Sequence, residues 1–92
     1  PYDGYANVRR NVHYDDEAER ATLVERAGEW ARSVDGDVTT IDGYRVDFGD
    51  AWVLARPSGT EPVVRVYAES HDRDRAVELA DRLVAALESA GE

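Results

Sequence analysis

Between Asp42-Gly43 and Gly49-Asp50, apolar and charged residues alternate one by one: Tyr44, Val46 and Phe48 against Arg45 and Asp47. Successive side chains on a strand point to opposite faces, so this pattern predicts a short strand with one dry face and one wet face. The flanking pairs tighten the constraint. Asp-Gly suits a two-residue hairpin turn, which needs positive φ, and Gly49-Asp50 offers a second such turn into Ala51 to Arg56. Residues 38 to 56 therefore predict three short strands, and another runs from Val63 to Glu69. Upstream, Val8, Val12 and Tyr14 fall on one face with Arg10 among them. Arg9, Asn11 and His13 fall on the other, as in a short edge strand.

A sheet that is dry on one side needs a cover, and two stretches can supply it. Asp15 or Asp16 can cap a helix, with Asp16 and Glu19 mimicking a capping box, and Leu23, Ala27, Trp30, Ala31 and Val34 then recur at helical spacing until Gly36. A second helix starts near Asp72 and lines up Ala76, Ala80, Leu83, Val84 and Leu87 before Gly91. Each has one stripe to bury. The expected class is α+β, with two amphipathic helices on one face of a largely antiparallel sheet of four to five strands. Residues 1–7 read as an incoming linker and residues 8–92 as one domain. The chain starts at Pro1 without an initiator Met, and is expected to be a piece of a longer protein.

Charge narrows the partners. Eleven basic residues against twenty acidic ones leave a formal net charge of −9, a field that disfavours nucleic acid and anionic membranes. No apolar run is long enough to cross a bilayer. The chain has no Cys, which removes disulfides, thiolate catalysis and Cys-based zinc sites and fits a cytoplasmic setting. His13 and His71 have no metal-ligand neighbours in sequence, and Asp15, Asp16, Glu17, Asp72 and Asp74 read as caps and solvated acids. Every basic residue is Arg. Acid abundance without Lys suggests a halophilic archaeon with a high-salt cytoplasm, although an ordinary acidic bacterial domain has the same look.

The loop from Arg56 to Pro62 reads Arg-Pro-Ser-Gly-Thr-Glu-Pro. Its prolines fix φ near both ends and restrict the residues before them, so the loop is short and stiff. Ser58, Gly59, Thr60 and Glu61 keep their backbone N–H groups, and Gly59 permits these to converge as an anion-binding nest. Ser58 and Thr60 add hydroxyls, and Arg56 offers a planar fork suited to two phosphate oxygens. Turn chemistry explains Pro and Gly equally well, so a plain connection between strands remains the competing reading. Glu61 argues against an anion site unless its carboxylate points away or pairs with an Arg.

The same seven residues, RPSGTEP, resemble the phosphate-binding signature of the C-terminal domain of the α-D-phosphohexomutases. The flanks are similar too: Thr40-Ile41-Asp42-Gly43, Trp52-Val53-Leu54, and Val64-Arg65-Val66-Tyr67-Ala68-Glu69. The likeness is close from Val38 to Glu69 and holds only in pattern for the helices. It implies a parent enzyme that interconverts hexose 6-phosphates and 1-phosphates. A phosphoserine on the first domain, Mg2+ on the second and a sugar-reading loop on the third would all lie outside this chain. The fourth domain grips the phosphate that is not reacting. The resemblance thus implies phosphate contacts from Arg56, Ser58, Gly59 and Thr60, with no catalytic and no metal-binding residue here, and no activity for this piece alone.

Arg65 either supports the clamp or pairs with Glu69, and Trp52 and Leu54 are expected to pack in the core. Phosphomannomutase, phosphoglucomutase and phosphoglucosamine mutase share nearly identical loops. A free-standing regulatory or interaction module without a phosphate site is the alternative from another class.

Overall fold

A computed structural model describes residues 5–40 and 43–88. The elements run β1 (Ala6–His13), α1 (Glu17–Ser33), β2 (Asp37–Thr39), β3 (Tyr44–Asp47), β4 (Ala51–Pro57), β5 (Val63–Ser70) and α2 (Arg73–Glu88). All strand pairs are antiparallel, in the order β1-β5-β4-β3-β2, so the class is the expected α+β with five strands. One face of the sheet, built from Val8, Val12, Val46, Val53, Ala55, Val64, Val66 and Ala68, is buried under both helices. From α1 come Leu23, Ala27 and Ala31; from α2 come Ala76, Leu79, Ala80, Leu83 and Leu87. Burying a large aliphatic side chain fully contributes about 1.5–3 kcal/mol, so this single layer contact supplies most of the driving force.

The caps form as the sequence suggests. Asp16, extended at φ −152°, accepts from the Glu19 amide at 2.9 Å, and Glu19 reaches back to the Asp15 amide at 2.6 Å. The Asp72 carboxylate accepts from the Asp74 amide at 3.0 Å at the head of α2. Asp16 and Asp72 are thus helix caps. His71 stacks on Tyr5 with ring centroids 3.8 Å apart, and His13 is exposed.

Several expectations shift. The first strand begins at Ala6, inside the expected linker, because Ala6 and Asn7 pair with Ser70 and Glu69 at the far end of β5. Tyr14 lies beyond β1, although its amide still donates to the Pro62 carbonyl at 3.0 Å. Helix α1 ends at Ser33 with Val34 extended, before Gly36 can act as a stop. Gly36 answers a different demand, since a Cβ there would sit 2.6 Å from a Val46 methyl carbon.

The Gly49-Asp50 turn is present, with φ 92° at Gly49 and a 2.8 Å bond from the Phe48 amide to the Ala51 carbonyl. Of the Asp42-Gly43 turn, Ile41 and Asp42 lie outside the described residues, as does Gly91. Gly43 itself has φ 146°, and a Cβ there would run into the Ala55 carbonyl oxygen and the Arg56 Cβ. Trp52 and Leu54 do not join the core. They sit half-buried on the helix-free face, because both helices cover the opposite side. The Arg45 guanidinium lies 4.3 Å from the Trp52 ring there, within cation–π reach.

Candidate functional site

Strand β4 delivers Arg56 to its end on the helix-free face, where the side chain is exposed. Alternation puts it there: Val53 and Ala55 point into the core, so Leu54 and Arg56 point away. Strand β5 places Arg65 directly opposite Arg56 in the ladder, and Asn11 of β1 opposite Arg65. The Arg56 side chain makes no ion pair and no hydrogen bond with another described residue.

The loop between the strands is closed by its own bonds. The Ser58 amide donates to the Val63 carbonyl at 2.9 Å, so this N–H is taken by the turn and is not an anion donor. The Val63 amide donates to the Glu61 carbonyl at 2.8 Å. The Thr60 and Glu61 amides both converge on Ser58 Oγ, each at 3.2 Å. Those bonds are long for N–H to oxygen, at the weak edge of the usual range. Ser58 Oγ also lies 3.4 Å from Thr60 Oγ1. Two backbone donors and two hydroxyls therefore gather around one point, and Gly59 leaves that point open. Gly59 is outside the left-handed region, and a Cβ there would meet nothing within 4 Å. Its conformation is one that any residue can adopt.

The loop acid is accounted for. Arg65 Nη2 pairs with Glu61 Oε1 at 2.7 Å. Of the two readings of Arg65, pairing with Glu69 is overturned. Residues four apart on a strand stand roughly 13 Å apart, beyond reach, whereas the loop folds Glu61 back over the start of β5. Arg10, on the other face, pairs with Asp81 of α2 at 3.4 Å, and Arg9 lies over the Tyr67 ring at 5.8 Å.

Sequence reasoning did not anticipate a cleft between α1 and the end of β4. Arg56, Ser58 and Gly59 line a cleft of about 810 Å³ together with Arg20, Arg32 and Tyr44. Arg20 is paired with Glu17 at 3.1 Å. Both α1 arginines fall on the polar stripe of an amphipathic helix, and no sequence signal sets them apart from solvated surface. Thr60 does not line this cleft. Among the described residues no cluster of three His, Asp or Glu side chains could hold a metal ion. No helix of the described residues is long and apolar enough to cross a membrane.

Known proteins with this pattern share a family. A probable phosphoglucosamine mutase of Methanopyrus kandleri is 44% identical over 82 residues, which cover 87% of this chain and 18% of that protein. The phosphoglucosamine mutase of Methylobacterium sp. (strain 4-46) is 44% identical over 90 residues, covering 97% of this chain and 18% of its own length. A phosphoglucomutase/phosphomannomutase of Thermococcus kodakarensis is 35% identical over 74 residues. The chain thus spans less than a fifth of the length of each of these three curated relatives.

Among solved structures, a phosphoglucomutase/phosphomannomutase family protein from Burkholderia thailandensis superposes with a TM-score of 0.65 at 26% identity. The match covers 92% of this chain and 19% of that one. The sequence profile of the phosphoglucomutase/phosphomannomutase C-terminal domain matches residues 8–86, a span that includes the whole loop, and the chain belongs to that family.

Proposed function

We propose that Arg56, Ser58, Gly59 and Thr60 clamp the non-reacting phosphate of a hexose phosphate, as the fourth domain of a phosphohexomutase interconverting 6-phosphates and 1-phosphates. One observation carries the reading. In a chain of net charge −9, a guanidinium without an acidic partner among the described residues stands at the end of the strand from which the loop with its two hydroxyls departs, while the loop's own acid is held by a second Arg.

The geometry supports phosphate in particular. Arg56 can address two oxygens at once, and a phosphate oxygen is a stronger acceptor than the hydroxyl that now draws the Thr60 and Glu61 amides. Among the described residues no packing contact demands glycine at residue 59, so the open approach there suits an incoming group. Such a clamp reads phosphate and little of the sugar, which suits a site that must accept either end of the substrate. Its contribution to rate is positioning and charge stabilisation. The phosphoserine, the Mg2+ site and the sugar-reading loop belong to the rest of the parent enzyme, and this domain alone is expected to be inactive. A cytoplasmic location follows from the sugar phosphate substrate.

The relatives at 44% identity are named phosphoglucosamine mutases, which favours glucosamine phosphate over mannose or glucose phosphate as substrate. Comparing kcat/KM for the three sugar phosphates in the full-length enzyme decides among them.

The clamp is tested with Arg56→Ala in the full-length enzyme. We expect KM to rise and kcat/KM to fall tenfold or more, about 1.4 kcal/mol or above in transition-state binding. Unchanged kinetics would remove Arg56 from the site. In the 92-residue chain, titration with inorganic phosphate should shift the Gly59 and Thr60 amide resonances. No shift at millimolar phosphate would favour a regulatory module.

A further inference from the structure

We propose that Arg65 is a positioning residue that holds the Glu61 carboxylate away from Arg56 and so keeps the Arg56 guanidinium available to phosphate. This rests on the reading of the loop as a phosphate clamp.

The ladder sets up a competition. Arg56 and Arg65 face each other directly across β4 and β5, on the same side of the sheet. Like charges so placed disfavour each other, and each gains by drawing in an anion. One carboxylate lies on the loop that joins the two strands. The 2.8 Å bond from the Val63 amide to the Glu61 carbonyl folds this residue against the start of β5, and Pro62 between them has a fixed φ. Glu61 thereby lies at the end of the sheet where the two arginines face each other, and the structure gives it to Arg65 at 2.7 Å. Had it gone to Arg56, the clamp would be blocked by its own loop, and an incoming phosphate would meet a neighbouring negative charge.

The pair is poorly suited to a purely structural role. The Glu61 side chain is 59% exposed and the Arg65 side chain 32%. Ion pairs this open contribute little to folding. Among the described residues Arg65 pairs with no other acid, and Glu69 is four residues along the strand. Its other cross-strand neighbour, Asn11 on β1, is neutral.

The test uses the full-length enzyme and its best sugar phosphate, with Arg65→Gln, Arg65→Lys, Glu61→Gln and the Arg65→Gln/Glu61→Gln double variant. Arg65→Gln releases Glu61 and should raise KM at least fivefold, with kcat changed less. Glu61→Gln leaves no carboxylate to hold, and its KM should be no higher than that of the parent. The double variant should recover a KM within about twofold of Glu61→Gln, and Arg65→Lys should retain most of the parent affinity. A mere loss of the ion pair would harm Glu61→Gln as much as Arg65→Gln, so the asymmetry separates positioning from folding. Equal damage in Arg65→Gln and the double variant, or none in Arg65→Gln, overturns the proposal. Arg56→Ala measured in parallel keeps the two ideas apart. If that variant is normal, the phosphate clamp fails first.

Discussion

Gly43 and Gly59 look alike in sequence, and the structure gives them opposite surroundings. At Gly43 the backbone holds φ 146°, and a side chain would strike the Ala55 carbonyl and Arg56 Cβ. At Gly59 the surroundings are empty to 4 Å and the backbone is ordinary. Gly43→Ala should therefore cost about 2 kcal/mol or more of stability, through strain and a backbone shift under Arg56. Gly59→Ala should leave the denaturation midpoint nearly unchanged while weakening phosphate binding, because its methyl group would occupy the approach to Ser58 and Thr60. Urea melts of the two variants, paired with phosphate titrations, check both halves. A Gly59→Ala protein that unfolds early would mean the loop glycine serves the fold.

At the level of elements, legibility in the sequence depends on whether the physical signal is local. Asp16 and Glu19 act through neighbours three and four residues away, so the head of α1 is legible from the residues alone. Asp16→Ala should destabilise the domain by about 1 kcal/mol, read from a thermal or urea melt, and a neutral result would mean that the first turn frays anyway. The dry stripe of β3 is legible for the same reason, since Tyr44 and Val46 report their face by period alone.

Other features depend on partners distant in sequence. Ala6 and Asn7 become strand only because Ser70 and Glu69 arrive to pair with them. Trp52 and Leu54 look like core residues by composition, and only the placement of both helices on the opposite face leaves them uncovered. At the site, Arg56, Ser58 and Thr60 are visible as a motif. The Glu61–Arg65 pair is not, since the turn that folds Glu61 back has no signature beyond Pro62. Arg20 and Arg32 give still less warning, being ordinary polar positions on α1.

Over the whole molecule, the question is whether net repulsion or ion pairing governs stability. The pairs among the described residues lie on the surface, at partly or fully exposed side chains, where each contributes under about 1 kcal/mol. Against them stands a net charge of −9 on a domain with a radius of gyration of 12.9 Å. Nine charges spread over a sphere of that size carry a self-energy on the order of 10 kcal/mol in unscreened water, part of which the unfolded chain retains. Repulsion is the larger quantity and should set the sign. Screening shortens the Debye length from about 30 Å at 0.01 M salt to about 3 Å at 1 M, which removes long-range repulsion before it removes contacts at 3 Å. The melting temperature of this domain should therefore rise between about 0.01 M and 1 M KCl. Each kcal/mol recovered corresponds to roughly 4–8 °C for a domain of this size. A melting temperature that stays level or falls over that range would show that the ion pairs outweigh the excess acid. It would also leave the all-Arg, acid-rich composition without a stability argument for a high-salt setting.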